Sequence, residues 1–132
     1  MFIDMNNPIF INQLTDLSKN RFALDTLSNE QFFEFYQTLL SNFNINLGND
    51  WYLIGTDGCH LCDEVYALLS QVGRIRPLPF VHRVDVMNAD ELVIETLGVV
   101  IPILVTPARL LCYPFGAMDI MTLTDPKSTM PV

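Results

Sequence analysis

The stretch Gly55–Leu69, GTDGCHLCDEVYALL, decides how this chain is read. Cys59 and Cys62 are separated by two residues. A Gly-Thr-Asp-Gly loop precedes them, and a run with Val65, Leu68, Leu69 and Val72 on one helical face follows. Such a pair can hold a metal, form a structural staple or exchange electrons. A helix is expected from Cys62 to Val72, with Cys59 where it begins. The unpaired N–H groups and dipole at a helix start favour a thiolate there. Cys62 follows about one turn later, placed to resolve a mixed disulfide on Cys59. Gly58 lets the backbone turn tightly into the helix.

Outward from this stretch, elements alternate. Trp51 to Gly55 reads as a short apolar strand. Phe80 to Val86 reads as a second, because Pro77 and Pro79 block a helix before it. A helix follows from about Ala89 to Leu97, with acids in its first turn and Gly98 at its end. Ile101 to Val105 is a strand, Thr106-Pro107-Ala108 a turn, Arg109 to Cys112 the return strand, and Ala117 to Leu123 a last short helix. A strand–helix–strand unit implies a parallel pair with a right-handed crossover. The hairpin adds antiparallel pairing, giving a small mixed α/β sheet.

Residues 1–50 read differently from 51–132. They hold seven of the nine phenylalanines. Ser28-Asn29-Glu30-Gln31 is a capping-box pattern. Phe32, Phe35, Tyr36, Leu39, Leu40 and Phe43 then recur at helical spacing, predicting a helix over about 29–42. Residues before Leu27 read as loop or short helix. The aromatic face of the 29–42 helix must be buried somewhere. It either caps the sheet or forms a homodimer.

Composition narrows the function classes. There are 7 Lys+Arg against 15 Asp+Glu, a net charge of −8. No basic cluster offers a nucleic-acid footprint or a hold on an anionic membrane. MFIDMNNPIFIN lacks a positive start and a long apolar run, so no signal peptide is expected, and the expected compartment is the reducing cytoplasm. There a structural staple is disfavoured. A zinc site needs four ligands, and beyond the pair only His60, His82 and Cys112 are on offer, without a second paired spacing. No metal is therefore expected. A C-x-x-C directly after a strand, in a strand–helix–strand setting, is a redox context.

Val99-Val100-Ile101-Pro102-Ile103-Leu104 adds a proline opening an apolar strand, a position that needs no ladder N–H. Together, GTDGCHLCDEVYALL, VDV, LGVVIPIL and LLCYPF make residues 51 to about 124 resemble the glutaredoxin-like branch of the thioredoxin superfamily. The resemblance implies a four-stranded mixed sheet flanked by helices over 51–132, with 1–50 as an N-terminal helical extension. It implies that Cys59 is the nucleophile and Cys62 the resolving thiol. It also implies a cis Ile101–Pro102 bond facing them, with Ile101's backbone free to pair with an extended substrate. Gly116 and Asp119 match part of the family's pattern for holding glutathione. His60 is a candidate to tune the Cys59 thiol.

Several positions depart from that family. Thr56 stands where a lysine is common, and His60-Leu61 replaces Pro-Tyr between the cysteines. Asp57, Asp63 and Glu64 surround the pair with negative charge, which opposes anionic glutathione. The expectation is thus a thiol–disulfide oxidoreductase with no bound cofactor. It would act on a disulfide-containing protein or a low-molecular-weight thiol, with glutathione a weaker candidate co-substrate. The alternative is a non-enzymatic binding or redox-sensing module that contacts partners through residues 1–50. Cys112, among Leu110, Leu111 and Tyr113, reads as a packing cysteine. His82 reads as exposed or hydrogen-bonded, and Tyr113-Pro114-Phe115 as a rim on the cysteine end.

Overall fold

Strand β1 (Trp51–Gly55) organises the molecule, because all five of its residues are buried. The computed structural model describes residues 7–45 and 50–124, and the N-terminal stretch read for an export signal lies partly outside them. β1 pairs in parallel with β2 (Val81–Asp85), and antiparallel with β3 (Ile103–Val105), which pairs antiparallel with β4 (Leu110–Cys112). The order β2-β1-β3-β4 is the mixed four-stranded α/β sheet that the element pattern predicts.

Side chains alternate across a strand, and β1 shows the consequence. Trp51 and Leu53 enter one core with Leu104 from β3. Helices α3 (His60–Ile75) and α5 (Ala117–Leu123) cover it through Val65, Leu69, Val72, Ile120 and Leu123. Tyr52 and Ile54 enter the other core with Ile103, Val105, Leu110 and Cys112. That face is covered by α1 (Pro8–Lys19), α2 (Asn29–Asn42) and α4 (Glu91–Leu97).

The N-terminal helices therefore belong to the same packed body as the sheet. In α2, Phe32, Phe35, Tyr36, Leu39 and Leu40 are buried, so the aromatic face that needed a cover finds it within the chain. Its capping box is present: Ser28 Oγ accepts from the Gln31 N–H, and the Gln31 side chain accepts from the Ser28 N–H. The 12-residue α1 gives regular structure to residues that read only as loop or short helix. Asn7 Oδ1 accepts the N–H groups of Ile9 and Phe10, and Pro8 occupies the first turn, where a missing N–H costs nothing. Phe10, Leu14 and Leu17 then form one buried stripe, and the Phe10 ring lies 5.5 Å from that of Phe35.

Element boundaries moved for local reasons. α3 begins at His60 rather than Cys62 because Cys59 itself caps it. It runs beyond Val72 to Ile75, and Arg76, ahead of Pro77, leaves the helical region as a pre-proline residue should. β2 stops at Asp85, whose carboxylate accepts the Met87 N–H and turns the chain into a 3₁₀ turn, Val86–Asn88. α4 begins at Glu91 rather than Ala89, behind Asp90. β3 begins two residues after Ile101, since Pro102 has no N–H to pair. Arg109 falls outside β4: Thr106 Oγ1 donates to its carbonyl and accepts its N–H, closing the hairpin turn.

Candidate redox site

The sheet register gathers the site. Gly55 ends β1, Ile103 pairs with Ile54, and Cys112 pairs with Ile103. The cysteine loop after β1, the Ile101–Pro102 step before β3 and the Tyr113-Pro114-Phe115 segment after β4 thus lie at one end of the sheet. The Tyr113 N–H donates to the Pro102 carbonyl at 3.0 Å, tying two of these segments together. Ile101–Pro102 is cis, as the resemblance implies, and Tyr113–Pro114 is cis as well.

Cys59 and Cys62 are joined as a disulfide, with Cα atoms 5.2 Å apart. Their settings differ. Gly58 has φ +74°, a left-handed conformation that suits glycine, and it turns the chain so that Cys59 becomes the cap of α3. Cys59 Sγ accepts the Cys62 N–H at 3.0 Å. After reduction, a charged Cys59 sulfur would find that donor and the helix dipole waiting. Cys59 is half-buried, whereas Cys62 is 1% exposed. Cys62 sits against the backbone of Gly55, where a Cβ would come within 2.7 Å of its sulfur. Gly55 is thus a site residue that sequence reading missed. It looked like the end of a strand, and only its proximity to Cys62 reveals its role.

The other candidates divide. Ile101 is half-buried, Pro102 is buried, and no backbone hydrogen bond among the described residues uses the Ile101 N–H or carbonyl. His60 is exposed on the first turn of α3, and no hydrogen bond among the described residues joins it to either sulfur. Gly116 and Asp119 engage each other: the Asp119 carboxylate accepts the Gly116 N–H at 2.8 Å and caps α5.

Cys112 stands apart on the α1–α2–α4 face. Burial chiefly, with help from Asp25 and against Arg21, pushes its thiol up to about 12. It stays a neutral, packed thiol at ordinary pH. His82 pairs with Asp50 at 2.8 Å and stacks on Tyr52. Neither residue joins the pair, and among the described residues no group of three or more His, Cys, Asp or Glu is placed to hold a metal. None of the described helices is long and apolar enough to cross a membrane.

A pocket of about 240 Å³ opens on the β2 side of the pair, lined by Gly55, Thr56, Asp57, Cys62, Asp63 and Arg83 among others. Compared with known proteins, the chain matches no family model, no curated protein and no solved structure.

Proposed function

We propose that this chain is a thiol–disulfide oxidoreductase of glutaredoxin-like, thioredoxin-fold design, working through Cys59 and Cys62 in a reducing compartment such as the cytoplasm. One observation carries the reading: the two sulfurs are within bonding distance, with an accessible one capping a helix and a buried one behind it. In the reduced protein, the Cys59 thiolate attacks a substrate disulfide RS–SR′. A Cys59–SR bond forms and R′S⁻ leaves. Cys62 then gives up its proton and attacks the Cys59 sulfur, forming Cys59–Cys62 and releasing RS⁻. Two electrons pass from the dithiol to the substrate, and the released thiolates take up two protons. An external thiol donor reverses the change on the enzyme.

The Ile101 backbone, unpaired among the described residues, supports an extended polypeptide as the substrate class, since a strand can add there beside the sulfurs. Asp57 and Glu64 favour neutral or cationic disulfides over glutathione disulfide, which is anionic.

The test is single-turnover exchange with a small neutral disulfide and with a cysteine-containing peptide disulfide. Cys59→Ser is expected to abolish exchange. Cys62→Ser is expected to stop at a trapped mixed disulfide on Cys59, visible by mass. Full exchange by Cys59→Ser would overturn the assignment, and inert wild-type protein would favour a binding module.

A further inference from the structure

The residues lining the pocket beside Cys62 include one basic side chain, Arg83. The lining brings together Asp57 from the loop, Asp63 from α3, Arg83 and Asp85 from β2, and the buried wall formed by Gly55 and Cys62. His60 and Glu64 lie on the first turns of α3, exposed. From the other side, residues 99–106 and 110–118 contribute no charge, Asp119 is engaged in its own helix cap, and Arg21 reaches in from the segment after α1 to donate to the Pro114 carbonyl. The charge lining the pocket is therefore mostly negative, and among its lining residues Arg83 alone is permanently positive.

Arg83 is held in two ways. Its Nη2 donates to Asp63 Oδ1 at 2.8 Å, and its guanidinium carbon lies 4.9 Å from the centre of the Tyr66 ring. Asp63 and Tyr66 are three residues apart on one face of α3. Two independent contacts restrict the guanidinium more than a lone surface ion pair would. Asp63 is the residue that matters for the sulfur. Its N–H donates to the Cys59 carbonyl at 3.1 Å, so it stands one helical turn above Cys59. An unpaired carboxylate there would oppose the helix dipole at the position where the thiolate must form.

Building on the redox reading above, we propose that Arg83 is a positioning residue for the dithiol: by pairing with Asp63 it cancels the carboxylate one turn above Cys59 and holds the first turn of α3 against β2. The pair lies partly in solvent, with side chains 44% and 65% exposed, so its influence is moderate. Across one helical turn in a water-like medium it amounts to about half a pKa unit, or roughly threefold in thiolate fraction.

The experiment titrates the Cys59 thiolate by its ultraviolet absorbance in the reduced protein. It also measures the dithiol–disulfide equilibrium against dithiothreitol at a pH above the thiol pKa. Arg83→Gln is expected to raise the Cys59 pKa by about half a unit and shift the equilibrium roughly threefold toward the disulfide. Asp63→Asn is expected to move both readouts the opposite way. Arg83→Lys, which keeps the charge, and the double variant Arg83→Gln/Asp63→Asn are expected to return close to wild type. A merely structural role would not produce opposite shifts that cancel. If Arg83→Gln matches wild type, or both single variants move in one direction, the inference on Arg83 falls while the redox reading stands. If wild-type protein shows no reversible couple, the redox reading itself falls.

Discussion

The two faces of the sheet take unequal shares of the core, the larger lying under α1, α2 and α4, and use them differently. The α1–α2–α4 face is aromatic and closed: Phe10, Phe32, Phe35 and Tyr36 interlock, and its cysteine, Cys112, is sealed in. The α3–α5 face is more aliphatic, and its principal helix starts at the sheet's exposed end, so the same packing that anchors Val65 and Leu69 also aims Cys59 at solvent. A cysteine's chemistry follows from where on these faces it sits. Burial keeps Cys112 a neutral thiol, and the helix start at Cys59 is what the proposed redox role draws on.

Mutations can break this contrast. Phe35→Ala removes a fully buried ring from the closed face and should cost about 3–5 kcal/mol of stability by urea unfolding. Cys59 reactivity in the still-folded protein should stay unchanged. A parallel loss of reactivity would mean that the faces do not act separately. Gly55→Ala strikes the seam between sheet and Cys62. Its new Cβ forces the buried sulfur to move, which should cost about 1–3 kcal/mol and, unlike Phe35→Ala, alter the disulfide equilibrium.

The smallest effect at neutral pH concerns the closed face. Burial raises the Cys112 thiol from 9.0 and the Tyr36 hydroxyl from 10.0, each to about 12. The folded state keeps these protons where the unfolded chain releases them. Their contribution is therefore intact below about pH 9 and is lost as pH rises toward 12. Thermal melts across that range should show stability falling, and Cys112 should resist a thiol reagent at pH 8 while Cys59 in the reduced protein reacts.

Much of the architecture was legible because it depends on near neighbours. Ser28 and Gln31 announce their capping box, and Ala117 to Leu123 shows its helix in its own periodicity. The 29–42 helix has the same quality, with its apolar residues returning every three or four positions. The 8–19 helix was harder. Its signal, Asn7-Pro8 followed by Phe10, Leu14 and Leu17, is short, and the helix is completed by packing on α2 and α4. The ends of α3 and β3 shifted because a sulfur served as a cap and a proline left the ladder.

The sequence by itself determined that two cysteines one turn apart would open a helix after a strand, with a proline-led strand to follow. Those are consequences of spacing and backbone chemistry, carried by a few adjacent residues. Only the tertiary structure decided which sulfur is buried, that Gly55 makes room for it, and that Arg83 answers Asp63 across twenty positions of chain. These facts depend on strand register, which brings distant residues within ångströms of each other and is set by the burial of both faces of the sheet together.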